Sequence, residues 1–140
     1  MHDSAMSETQ RPLRGLRRIG AVLAGLLAIF ILSTATDVAL HAAGVFPPWE
    51  VRMSDALFLL ALAYRIVYGI AGCYVTARLA PDRPMQHALA LGAVGVVFST
   101  AGAVAMWDAG PGWYSLAVIA IAMPCAWAGG KLGGMRAPAP

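Results

Sequence analysis

The sequence predicts an all-α integral membrane protein, a four-helix bundle with both termini on the cytoplasmic side. Three observations carry that reading. The chain is 59% hydrophobic and 12% charged, with a mean hydropathy of +0.68, whereas a soluble domain carries about 25% charged residues. Its apolar residues fall into four runs, each near the ~20 residues that cross a bilayer core. Its basic residues lie almost wholly to one side of those runs. In 140 residues, four spans leave no room for a soluble domain.

The first span is predicted over residues 19–43, after a disordered, basic cytoplasmic segment at 1–18. Four arginines before an apolar run also resemble a secretory leader. This run exceeds the ~7–15 residues of a leader's apolar region, however, and three more spans follow, so an uncleaved anchor is expected. The second span is predicted over 55–79 with Ser54 as N-cap, the third over 86–107 and the fourth over 113–130. "GGKLGG", residues 129–134, is read as a Gly-rich helix end leading into a cytoplasmic tail at 131–140. It lacks Walker spacing and a preceding strand, so it is no phosphate loop. The connections "VFPPWEVRM", "APDRPM" and "DAGPG" carry turn residues, and links this short make successive helices antiparallel.

Orientation follows from charge. Arg11, Arg14, Arg17 and Arg18 precede the first span, Arg78 and Arg83 flank the second connection, and Lys131 and Arg136 follow the fourth span. Only Arg52 lies on the opposite side, and a positive-inside bias puts both termini in the cytoplasm. Glu50, Asp55 and Asp108 fall on the outer side. Phe46, Trp49, Trp107, Trp113 and Tyr114 are read as an outer aromatic belt, with Tyr74 and Trp127 nearer the inner face. The four N-terminal arginines also suit anionic headgroups, at about 1 kcal/mol each. These positions make the net charge of +3 a topology signal rather than a nucleic-acid footprint. Nine of the ten basic residues are Arg, in an Ala-, Gly- and Pro-rich chain, which fits a GC-rich bacterial genome and hence a bacterial inner membrane.

The polar locus is in the middle of the second span. Arg65 lies about 15 Å along its helix from Asp55, near the bilayer midplane, where a charge costs roughly 2.5–3.5 kcal/mol unless it faces protein or water. The first span offers Ser33, Thr34, Asp37 and His41 on one side of its helix, and Asp37 is the only carboxylate within any predicted span, as opposed to at its end. Counted from the outer helix ends, Asp37 and Arg65 differ in depth by roughly 6 Å, which a long arginine reaching outward closes. Counted from residue 19 the gap is around 12 Å, and Ser33, Thr34 or Ser99 would be nearer partners.

Arg65, Gly69, Gly72 and Thr76 share one stripe with Tyr68 beside it, which suits close helix approach, while Tyr64 is read as turning toward lipid. Two roles fit the pair. It is either a structural clamp between the first two helices, or a protonatable site coupled to transport with His41 toward the outer mouth. A carboxylate committed to an arginine makes a poor proton carrier, so the clamp is preferred.

Elsewhere, Ala88, Gly92, Gly95, Ser99 and Gly102 form a small-residue seam, within the bundle or between subunits. Pro124 is expected to kink the fourth helix and free a carbonyl toward the bundle interior. Cys73 and Cys125 lack CxxC or His spacing and read as packing residues. "LSTATDVALHAAG" (32–44) echoes "FSTAGAVAMWDAG" (98–110), which suggests two helical hairpins related as parallel repeats.

The stretch 46–95, above all "AYR" at 63–65 and "TARLAPDRPMQHA" at 76–88, resembles a family of small four-span bacterial membrane proteins. The resemblance implies an inner-membrane helical protein and carries no activity. In size and span count the chain is also similar to small multidrug resistance transporters. Those use a glutamate deep in the first helix; this helix has none, and Asp37 lies late in it. The expected function is therefore non-enzymatic, an interaction or accessory subunit, with no cofactor or metal. A small oligomeric transporter or channel, its pathway near Asp37, Arg65 and Tyr68, is the second expectation. The expected partners are the lipid bilayer and either a second copy of the chain or another membrane protein, with no nucleic acid.

Overall fold

A computed structural model describes the backbone of residues 2–48 and 50–135 and the side chains of residues 13–48 and 50–135. Trp49, Arg136 and the side chain of Arg11 lie outside the described residues. The chain forms four long helices, α1 (His2–Ala42), α2 (Asp55–Leu79), α3 (Pro84–Ala105) and α4 (Gly112–Met135), with a short 3-10 turn at Trp107–Ala109. Each is long and apolar enough to cross a bilayer, with mean hydropathies of 1.5 to 2.2. The protein is a multi-pass, all-helical membrane bundle. Its terminal side carries the start of α1, the end of α4 and the α2–α3 link; its distal side carries the other two links.

The ends of the helices follow local chemistry. α2 has the expected bounds and begins after Ser54, whose backbone is extended but whose hydroxyl makes no capping bond. α3 starts two residues earlier than expected because Pro84 is preorganised for a first helical turn, after Arg83 in the left-handed region at φ 44. It stops at Ala105, and Trp107 belongs to the 3-10 turn. α1 ends in a Schellman motif: Val45 N–H bonds Leu40 O and Gly44 N–H bonds His41 O, with Gly44 at φ +80 as such a reversal requires.

Two expected boundaries are corrected. Residues 2–18 are not disordered but continue α1, since Leu and Arg are strong helix formers and Arg18 is anchored to Asp82 across the bundle. "GGKLGG" does not end α4, which runs on to Met135. Its glycines serve close packing: a Cβ at Gly129 would lie 2.5 Å from Ile70 O and 2.8 Å from Tyr74 N of α2. The neighbouring backbone holds the helix where glycine alone would release it.

α2 packs chiefly on α4 and α1, α4 also on α3, and α1 only lightly on α3. The core lies in the terminal half, around Cys73, Ala77, Ala88, Leu91 and Ala126. Here α1 and α2 touch backbone to backbone, a Cβ on Gly72 falling 2.8 Å from Gly25 O. The fully buried Thr76 hydroxyl donates to Ala21 O at 2.7 Å. Gly69 faces α4 instead, against Cys125. Both cysteines are free and buried.

The α3 seam packs within the chain, but only in part. A Cβ on Gly92 would lie 2.5 Å from that of Ala126, one on Gly95 would lie 3.7 Å from that of Ala122, and one on Gly102 would meet nothing within 4 Å. Pro124 lies within α4 on its exposed face, as does Ala120, whose carbonyl the proline leaves without its helical donor. The freed carbonyl therefore belongs to the outer face, not to the bundle interior.

Overpacking a tight seam costs about 1–3 kcal/mol. Gly129→Ala is expected to lower stability by that amount in thermal unfolding of the detergent-solubilised protein. Gly102→Ala, in open space, is expected to be neutral or to gain up to about 1 kcal/mol from helix propensity.

Candidate functional site: an intramembrane ion pair below a distal cavity

The expected pair forms. Arg65 Nη2 donates to Asp37 Oδ2 at 2.8 Å, and the Tyr64 hydroxyl donates to Asp37 Oδ1. Tyr64 therefore turns inward, not toward lipid, and its ring also lies beside the guanidinium, 5.8 Å from the Arg65 carbon. One turn along α2, the Tyr68 hydroxyl is 2.8 Å from Thr36 Oγ1. Thr36 spends its single proton on Leu32 O at 2.8 Å, so Tyr68 is the donor between them. Consecutive residues of α1, Thr36 and Asp37, thus face Tyr64, Arg65 and Tyr68 of α2.

Helix register explains why the depths agree. Asp37 sits level with Tyr64 and Arg65, and α1 ends five residues later at Ala42 while α2 extends ten residues beyond Arg65 to Asp55. α1 thus stops about 7 Å short of α2, and residues 43–54 climb the difference. Arg65 need not reach outward.

Around the pair the candidates separate. Ser33 is buried one turn from Asp37, its hydroxyl without a partner, whereas Thr34 faces outward and is replaced by Thr36. His41 Nδ1 lies 2.7 Å from Asp37 O; a carbonyl only accepts, so that nitrogen carries the proton. The His41 ring meets Phe46 edge-on at 5.2 Å.

Distal to the pair, the helices part around a cavity of about 560 Å³. Asp37, His41, Arg65, Ser99 and Ser115 supply its polar lining. Phe46 and Tyr114, expected in an interfacial belt, line it too. Phe46 is buried because the chain folds back after Gly44, with Phe46 N–H on Leu40 O, and Tyr114 stacks at a tilt on Phe58 at 4.9 Å. Trp107 and Trp113 remain exposed. Ser33 and Ser99, matched by the internal echo, both lie near the pair, but the closing glycines differ. Gly44 is left-handed, while Gly110 is extended at φ −156 under the Phe58 ring.

On the terminal side, Arg18 binds Asp82 at 2.7 Å, an acidic residue that the charge pattern had overlooked. Arg14 and Arg17 are exposed, and Lys131 sits 4.8 Å from the centre of the Trp127 ring. The hydrogen bond from Arg18 holds the Asp82 carboxyl below the usual carboxylate range, helped by the charges of Arg18, His87 and Arg14 against desolvation. Among the described residues, no three His, Cys, Asp or Glu side chains gather as a metal site would need.

No protein family, curated protein or solved structure matches the chain.

Charge-assisted bonds exceed neutral ones, and interhelical bonds in membranes range from an average of about 0.6 to about 1–2 kcal/mol. Tyr64→Phe is therefore expected to cost about 1–2 kcal/mol and Tyr68→Phe about 0.6 kcal/mol in thermal unfolding. Asp82 has a folded pKa below its unfolded value of about 3.9, so its contribution is present above that value and is lost as pH falls through the lower one. Asp82→Asn should flatten the acid limb of the unfolding midpoint against pH, an effect that added salt reduces in the wild type.

Proposed function

We propose that the protein is a non-enzymatic, multi-pass protein of the bacterial inner membrane, with both termini in the cytoplasm, acting as an interaction or accessory subunit. It would belong with the small four-span bacterial membrane proteins that its sequence resembles. One observation carries the reading: both carboxylate oxygens of Asp37 are engaged by α2, one by Tyr64 and one by Arg65. That arrangement suits a clamp fixing the α1–α2 register. The basic residues on the terminal side, against Arg52 on the distal side, support the cytoplasmic assignment. The cavity beside the pair favours a second reading, an oligomeric transporter or channel with its path near Asp37, Arg65 and Tyr68.

A charge swap separates the two. As a clamp, Asp37→Arg and Arg65→Asp each deplete the folded, membrane-inserted protein several-fold, and the two together restore part of it. As an accessory subunit, the chain co-purifies with an unrelated membrane protein and passes no ions or solutes alone in proteoliposomes. Ion-coupled flux that Asp37→Asn abolishes without lowering protein amount selects the transporter. For orientation, a cysteine placed at Arg52 should react with an impermeant thiol reagent from outside spheroplasts, and one at Lys131 only after permeabilisation.

A further inference from the structure

The clamp does not account for the cavity distal to it. An ion pair between two helices needs only those helices, yet here all four retreat from Arg65 and two links fold around the space. At about 560 Å³ it falls within the roughly 300–1,000 Å³ of small-molecule sites. We propose that this cavity binds a small organic anion, an apolar ring-bearing body with a carboxylate, whose head pairs with Arg65. The proposal goes beyond the accessory-subunit reading and does not depend on it.

The polarity of the site decides the sign of the ligand's charge. Asp37 has both oxygens engaged, whereas Arg65 brings five N–H donors, of which Asp37 takes one from Nη2. The arginine side chain is also the more open of the two, 33% against 22%. What the cavity presents is thus the accessible end of a guanidinium, with the Tyr114 hydroxyl beside it and the hydroxyls of Ser99 and Ser115 on the same wall. A carboxylate suits it, because a planar guanidinium matches that group and charge-assisted bonds strengthen away from water. A cation would find aromatic faces but would face Arg65 across them. A purely apolar ligand would displace water from Arg65 and leave its donors unpaired.

The remaining walls describe the body of the ligand. Phe46, Phe58, Phe98 and Tyr114 bring four rings to the cavity, and Met53 and Met106 bring two thioethers, groups that favour contact with another ring. An entrance exists as well. Phe98 and Met106 line the cavity and are 62% and 65% exposed, so the wall that α3 and the residue after it contribute is also part of the outer surface, and a ligand dissolved in the membrane can enter along it.

The test measures the thermal unfolding midpoint of the full chain in detergent against three probes of one shape: naphthoate, neutral naphthamide and cationic naphthylmethylammonium. The proposal expects a saturable rise of a few degrees with naphthoate and none with the other two at equal concentration. Arg65→Gln should abolish the rise. Because that variant also breaks the clamp, Gly102→Phe provides the independent check. Gly102 lines the cavity and a Cβ there meets nothing within 4 Å, so a ring placed there has room to occupy the cavity mouth; the variant should keep a near-wild-type midpoint without ligand and lose the naphthoate response. No saturable rise with naphthoate, an equal or larger rise with the amide or the cation, or a full response in Gly102→Phe would each overturn the proposal.

Discussion

A guanidinium at the middle of a bilayer must be met by acceptors from protein or water, and the arrangement of this molecule around Arg65 follows from that requirement. Asp37 supplies the counter-charge, and Tyr64 holds the carboxylate oxygen that Arg65 leaves free. With Thr36 and Tyr68 bonded beside them, four side chains and a carboxylate fix which turn of α1 faces which turn of α2. The register then dictates that α1 ends below α2, and the link that recovers the height carries Phe46 back over the site. A loop conformation on the distal side thus descends from an ion pair at mid-membrane.

The two halves of the bundle are built on different physics. In the terminal half, glycine and alanine let helices meet at backbone distance, and dispersion between closely packed backbones replaces the hydrophobic effect that lipid does not supply. In the distal half, side chains keep the helices apart: rings, methionines and the polar groups at Arg65 line a space instead of filling it. The α3 seam passes through both regimes, tight at Gly92 and open by Gly102. A rigid base under an open distal half suits a site that must hold its charges in place and still admit something beside them.

Much of this was legible in the sequence. Hydropathy and short links led to four antiparallel spans, and α2 has the bounds its Ser-Asp start implied. A lone arginine and a lone carboxylate, each within a span, had no better partner than one another. What stayed hidden depended on rotation and register. Thr34 and Thr36 differ by two positions on one helix, so a small error in facing exchanges the lipid-facing hydroxyl for the bonded one. Tyr64 looked outward from its own helix alone; α1 passes close enough to claim it. "GGKLGG" has the composition of a helix end, and only the nearness of Ile70 and Tyr74 reveals that its first glycine is a contact. Asp82, set among basic residues, was masked by the charge pattern it completes. The cavity leaves no local signature, since its lining comes from four helices and two links.

The most direct test of the central claim is a double-mutant cycle on thermal stability in detergent, comparing wild type, Asp37→Asn, Arg65→Gln and the double variant. If the pair sets the α1–α2 register, each single change leaves a half-buried charged or polar group without its partner and costs about 1.5–3 kcal/mol. The double change then costs clearly less than the two together, with a coupling of about 0.5–3 kcal/mol. Single variants as stable as the wild type, with coupling near zero, would contradict the account.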